Sequence, residues 1–167
     1  MDKRTNAITL HGNPFSLVGK EIKVGDIAPD FSALTTDLKS VSLSDYKRKT
    51  ILISVFPSID TGVCALQTKR FNDEAGKLSH IQIINISVDL PFALGRFCAA
   101  ENINNSISLS DHKNLDFGLK YGFVIEELRL LSRGVVVINA EGIVTYVEYV
   151  KEVSEHPDYE KVLKMLK

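Results

Sequence analysis

The sequence carries almost no surplus charge: 20 basic residues stand against 21 acidic ones, for a formal net charge of -1. That removes the electrostatic footprint expected of a chain that binds nucleic acid or an anionic membrane, and neither partner is expected. Long apolar runs are missing too. Val135-Val136-Val137-Ile138 is only strand-sized, far short of the ~20 residues that cross a bilayer as a helix. The N-terminus, Met1-Asp2-Lys3-Arg4-Thr5-Asn6, lacks an apolar segment and a small-residue cleavage site. No signal peptide is therefore expected, and a reducing cytoplasmic compartment is the default. No repeat, low-complexity tract or linker divides the 167 residues, which suit one domain, 1–167, with a proper hydrophobic core. The four histidines, His11, His80, His112 and His156, are scattered, and no Cys/His pair has metal-ligand spacing. No metal or cofactor is expected. Cysteine is scarce, at two residues. In a reducing compartment a permanent structural disulfide is not expected, whereas two inert buried thiols would be ordinary.

What is present reads as alternating strands and helices. Residues 7–18 suggest two short strands about a turn at Gly12-Asn13-Pro14. The apolar stretch 31–34 and a short strand around Val41 and Leu43 follow. Thr50-Ile51-Leu52-Ile53-Ser54-Val55-Phe56 is apolar and β-branched nearly throughout, as in a strand covered on both faces, and Pro57 ends it. Asp60-Thr61 offers N-caps for a helix over 62–77, with Val63, Leu66, Phe71, Ala75 and Leu78 as its apolar stripe. A second buried strand spans 81–88. Asp89 then caps a helix opened by Pro91 that runs through Cys98. A third helix over 111–121 ends at Gly122. Residues 134–139 and 143–149 form a hairpin pair, and a last helix spans 158–166. This order implies an α/β sandwich with a mixed central sheet, compatible with a thioredoxin-like fold.

The informative segment is Phe56-Pro57-Ser58-Ile59-Asp60-Thr61-Gly62-Val63-Cys64. It sets a cysteine in the first turn of a helix directly after a buried strand, where free N–H groups and the helix dipole favour a thiolate. Thr61, three residues earlier, can bring its hydroxyl over the same turn, and Pro57 can wall the sulfur from water. Each feature also has a plain structural reading. Cys64 is then a small apolar residue, Thr61 a cap and Pro57 a strand end, and Arg133, before the apolar run 135–138, reads by itself as a surface charge.

Pro57-x-x-x-Thr61-x-x-Cys64 resembles the active-site signature of the peroxiredoxins. The longer string is similar to that of their bacterial thiol peroxidase subfamily, the atypical two-cysteine type. The resemblance extends over nearly the whole chain. It includes the N-terminal hairpin, Ser87-Val88-Asp89-Leu90-Pro91-Phe92-Ala93 with Arg96-Phe97-Cys98, and Arg133-Gly134-Val135-Val136-Val137-Ile138. The segment 124–132 departs most from the subfamily pattern. The resemblance implies a thioredoxin-like fold and a hydroperoxide substrate. Cys64 matches the peroxidatic cysteine, Thr61 the residue that orients thiolate and peroxide, and Pro57 the residue that shields the sulfenic acid. Arg133 matches the arginine that favours the thiolate and polarises the peroxide. It further implies that Cys98, whose apolar setting otherwise suggests an inert thiol, resolves the oxidised Cys64 within the same chain. Thioredoxin would be the reductant, and a homodimer is expected.

A disulfide reductase would want Cys-x-x-Cys at the helix start, but position 61 holds threonine. A peroxide-sensing relay or interaction protein using the same cysteine pair remains as the non-catalytic alternative. Phe92, Phe123 and Leu130 are candidates to line a pocket for organic hydroperoxides.

Overall fold

The computed structural model describes residues 1–46 and 48–167. At its centre lies a run of largely β-branched residues covered on both faces by apolar side chains. Strand β5 (Thr50–Val55) is the third in a seven-stranded sheet ordered β11-β10-β5-β6-β7-β3-β4. Its neighbours are β6 (Ile81–Ser87), parallel to it, and β10 (Gly134–Ile138), antiparallel. Outside these lie β7 (Ile107–Ser110), parallel to β6, and β11 (Val144–Tyr149), antiparallel to β10. The short strands β3 (Ser32–Leu34) and β4 (Ser40–Ser42) complete the far edge, followed by a 3-10 turn over Leu43–Tyr46.

Side chains alternate between the two faces of this sheet, as the two-residue period of a strand requires. Ile51, Ile53, Val55, Ile84, Ile86, Val136 and Ile138 share one core with Phe117 and Tyr121 of helix α3 (Asp116–Tyr121). Leu52, Ile83, Val135 and Val137 share the other with Phe71 of α1 (Gly62–Glu74) and Val162 of α4 (Tyr159–Met165). Helix α2 (Pro91–Ala100) packs beside β7. Burial on both faces is why these strands read as continuous apolar runs rather than alternating ones.

A second, four-stranded antiparallel sheet is ordered β1-β2-β8-β9, from β1 (Lys3–Leu10), β2 (Asn13–Val18), β8 (Val124–Ile125) and β9 (Leu130–Leu131). The turn between β1 and β2 is His11-Gly12, both with positive φ (51° and 82°), while Asn13 and Pro14 lie within β2. Two such residues match the right-handed twist of a hairpin. The segment 124–132, expected as a loop, is thus a small hairpin docked on β2 through Leu17↔Ile125 and Val18↔Val124. It delivers the chain to Arg133 from a fixed sheet edge.

Helix α3 is shorter than expected, and Asp111 explains why. Its carboxylate lies ahead of the helix and accepts the N–H groups of Phe117 (3.1 Å) and Gly118 (2.8 Å), doing the work of a cap from a distance. Burial raises the pKa of Asp111 from 3.8 to about 6. The folded state therefore holds this proton more tightly than the unfolded chain. The stability contributed is fully present below about pH 4 and is lost as pH rises through 6. Between pH 4.5 and pH 7 the group should withdraw on the order of 2 kcal/mol from the unfolding free energy. Urea unfolding at both pH values should show a fall in the wild type that Asp111→Asn flattens; parallel profiles would refute it.

Candidate active site

Cys64 is the third residue of α1, and the helix starts where it does because Thr61 is extended (φ -104°, ψ 149°) and Pro57 cannot continue the strand ladder. Thr61 occupies the N-cap position, but its side chain accepts no helix N–H. Its hydroxyl instead donates to the carbonyl of Ser58 (3.1 Å), and it stands exposed at the mouth of the turn. Pro57 is half-buried in the bend between β5 and α1. Cys64 itself is fully buried, packed with Phe56, Ile59 and Leu94, with Phe97 against them.

The inward stripe of α1 is Cys64, Gln67, Thr68, Phe71 and Asn72, continued by Ala75 at its C-cap, whereas Leu66, expected on the apolar face, is exposed. The helix is therefore rotated from its expected setting, and three of its inward residues are polar. Gln67 has the largest consequence. Its amide donates to Ser54 Oγ (2.7 Å) and to the Val55 carbonyl (3.2 Å), both on β5. That fixes its Oε1 to accept from Arg133 Nη1 at 2.8 Å.

Arg133 is 2% exposed. It donates through Nε to the Val153 carbonyl (2.7 Å), through Nη1 to Gln67, and through Nη2 to Cys64 Sγ at 3.1 Å. A buried guanidinium is costly unless an anion compensates it. Among the described residues no carboxylate lies within 4.0 Å of it. Cys64 Sγ, 3.1 Å from Nη2, sits where negative charge on sulfur would compensate it. Tyr159 feels both: burial first raises its pKa to about 12, with Arg133 pulling it down and Cys64 pushing it up. Gln67 and the Val153 carbonyl were not among the residues singled out from sequence. The signal available was a polar residue one helical turn after the cysteine, facing a lone serine in an apolar strand.

Cys98 is placed differently. It is half-buried on α2, its sulfur 3.2 Å from Ser108 Oγ on β7, and burial pushes its thiol pKa up against the opposing effect of that hydrogen bond. Both cysteines are free thiols. Leu94 and Phe97 of the same helix lie against Cys64, so α2 touches the site through its apolar face while Cys98 turns toward the sheet. Of the aromatic and aliphatic candidates for a substrate pocket, Phe123 is fully buried in the core, Leu130 belongs to β9, and Phe92 is exposed on α2. They do not converge: Phe123 and Leu130 pack in separate clusters. No helix among the described residues is long and apolar enough to cross a membrane.

The Redoxin family model matches residues 23–163. The chain is 58% identical to a thiol peroxidase of Oceanobacillus iheyensis over 159 residues, covering 95% of this chain and 97% of the relative. It is 52% identical to the thiol peroxidase of Bacillus subtilis over 160 residues, 96% of each. Among solved structures, a peroxiredoxin-like protein from Aquifex aeolicus superposes with a TM-score of 0.90 at 39% identity, over 98% of this chain and 95% of that one. A thiol peroxidase from Chromobacterium violaceum, at 23% identity and a TM-score of 0.85, over 95% of this chain and 94% of that one, shares the fold. A mixed thioredoxin-like sheet, a cysteine at the start of the helix after its central strand and relatives of this kind lead to one conclusion: the chain belongs to the thiol peroxidase group of the peroxiredoxins, within the Redoxin family.

Proposed function

We propose that residues 1–167 act as one peroxidase domain in which Cys64 reduces hydrogen peroxide and organic hydroperoxides and Cys98 resolves the product. The observation that carries this reading is the buried Arg133 guanidinium, 3.1 Å from Cys64 Sγ and without a carboxylate of its own among the described residues.

The thiolate of Cys64 attacks the terminal oxygen of the hydroperoxide. An S–O bond forms, the O–O bond breaks, and the departing oxygen takes a proton to leave as alcohol or water, with Cys64 now a sulfenic acid. Negative charge moves from sulfur toward the leaving oxygen during this step, and a guanidinium already aimed at the sulfur stabilises it without reorganising. The Thr61 hydroxyl, donating to Ser58, keeps an oxygen lone pair that can accept the peroxide O–H. Pro57 narrows the approach of water to the oxidised sulfur.

Cys98 then attacks the sulfenic sulfur: the S–S bond forms, the S–O bond breaks, and hydroxide leaves with the thiol proton as water. A disulfide needs sulfurs about 2 Å apart and Cα atoms roughly 4.4–6.8 Å apart. With Cys98 turned toward Ser108, that step requires the Cys64 turn, α2 or both to unwind locally. Leaving its buried position also relieves the burial that holds the Cys98 thiol protonated. An external dithiol, thioredoxin by family likeness, reduces the disulfide and is itself oxidised. The working form is proposed to be a cytoplasmic homodimer.

An assay with thioredoxin, its reductase and NADPH tests the cycle. The wild type should consume peroxide continuously. Cys98→Ser should reduce about one equivalent, accumulate a trappable sulfenic acid and stop. A wild type that also stops after one equivalent would favour a peroxide sensor over an enzyme.

A further inference from the structure

Asp89 has the sequence position of a helix cap, yet the structure uses it otherwise. The N-cap of α2 is Leu90, and no side chain caps that helix. The Asp89 carboxylate instead accepts three hydrogen bonds: from Ser58 Oγ (2.7 Å), from the Ile59 N–H (2.8 Å) and from Ser87 Oγ (2.6 Å). Its backbone is held as well, the N–H donating to Ser87 Oγ (3.2 Å) and the carbonyl accepting from Ser110 Oγ (2.5 Å). Ser58 passes the constraint onward. Its Oγ accepts from the Asp60 N–H (3.2 Å), and its carbonyl accepts both the N–H (3.2 Å) and the hydroxyl (3.1 Å) of Thr61. One carboxylate thus binds the loop that enters the Cys64 turn to the segment that enters the Cys98 helix.

We infer that Asp89 is a clasp, a positioning residue that sets how long the site stays closed after Cys64 is oxidised. This rests on the two-cysteine reading above. The two chemical steps make opposite demands on the loop 57–61. Attack on peroxide needs it folded, with Cys64 against Arg133, and disulfide formation needs it, or α2, to come away. The Ser58 and Ile59 contacts break when the loop unwinds, while the Ser87 contact stays on the sheet side and keeps the carboxylate aimed at the loop. Hydrogen bonds to a carboxylate are stronger than neutral ones, so Asp89 weights the balance toward the closed form.

Population arithmetic makes the effect lopsided. Where the closed form dominates, weakening the clasp multiplies the small open population while barely reducing the closed one. Losing one or two charge-assisted hydrogen bonds should raise the open population about tenfold. Disulfide formation then accelerates about tenfold, whereas the peroxide step slows by no more than about twofold. The sulfenic acid also survives for less time, so the peroxide concentration that half-inactivates the enzyme by further oxidation rises about tenfold.

The experiment is rapid-quench alkylation with mass spectrometry on wild type, Asp89→Asn and Ser58→Ala, following sulfenic acid and disulfide after one equivalent of peroxide. Both variants should speed the second step and leave the first within about twofold, Asp89→Asn having the larger effect. The double variant should gain less than the product of the two single effects, because they act through one contact. A merely structural role would slow the peroxide step without quickening the disulfide step. That result, or an unchanged disulfide rate in both variants, overturns the clasp. If Asp89→Asn fails to fold, Ser58→Ala decides alone, since it removes only the two Oγ contacts, to Asp89 and from the Asp60 N–H, and leaves the carboxylate. A wild type that forms no Cys64–Cys98 disulfide overturns the two-cysteine reading and the clasp together. A wild type that forms it, with variants that do not quicken, overturns the clasp alone.

Discussion

Replacing Cys64 with serine should lower peroxide reduction by roughly a thousandfold or more, the scale on which removal of a catalytic nucleophile acts. A serine hydroxyl is not ionised near neutral pH and cannot take the place of a thiolate at an O–O bond. The fold should tolerate the change. Serine is smaller than cysteine by little, its neighbours Phe56, Ile59 and Leu94 keep their contacts, and its oxygen can accept the Arg133 N–H that now meets sulfur. Loss of activity in a protein that still folds cooperatively, with a midpoint lowered by the Arg133 charge left without an anion, is the expected combination, measured by a single-turnover peroxide assay and thermal unfolding. Turnover above the rate of a free thiol would remove Cys64 from its assigned role.

Arg133→Ala should be the second largest loss, on the order of 10²–10³ in the peroxide step, as when one preorganised donor to a developing anion is removed. It should also destabilise the fold more than Cys64→Ser does. The variant leaves Gln67 Oε1 and the Val153 carbonyl without their buried donor, each worth about 1–3 kcal/mol when stranded. Arg133→Lys should recover only part of both, because a single ammonium cannot meet sulfur, amide and carbonyl at once. Gln67→Leu separates the two effects: it keeps the charge but removes one of the contacts that orient the guanidinium, leaving the one to Val153. A peroxide rate in Arg133→Ala equal to that of the wild type would show that the contact at 3.1 Å is structural alone.

The contrast between Arg133 and Gln67 also shows what sequence could and could not reveal. The central strand, the helix start at Gly62, the final hairpin and α4 were legible because their patterns are local: an apolar run, a proline stop, a turn, a capping aspartate. Asp158 does accept from the Lys161 N–H as a cap should (3.2 Å). Thr61 and Asp89 hold equally good capping positions and do not cap: the Thr61 hydroxyl turns back to the Ser58 carbonyl three residues earlier, and Asp89 takes partners that only tertiary structure supplies. The facing of α1 was misread for a related reason. Apolar periodicity favoured Leu66, whereas Gln67, Thr68 and Asn72 turn inward because buried partners satisfy their polar atoms. Strand β7, Ile-Ser-Leu-Ser, and the two-residue strands β8 and β9 were too short or too polar to stand out. Arg133, read locally, is a surface charge; its burial follows from the sheet edge before it and the Val153 carbonyl after it.

That carbonyl is itself held in place from far away. The Val153 N–H donates to Thr9 (2.8 Å), the Thr9 N–H donates to Lys151 (2.7 Å), and Glu152 accepts the Gly12 N–H at the tip of the N-terminal hairpin (2.8 Å). On a ribosome, Cys64 emerges 69 residues ahead of Arg133, and the carbonyl that orients Arg133 comes 20 residues later still. On the reading proposed above, the reactive pairing of Cys64 with an oriented Arg133 can form only once these segments, far apart along the chain, have all been made and have folded together.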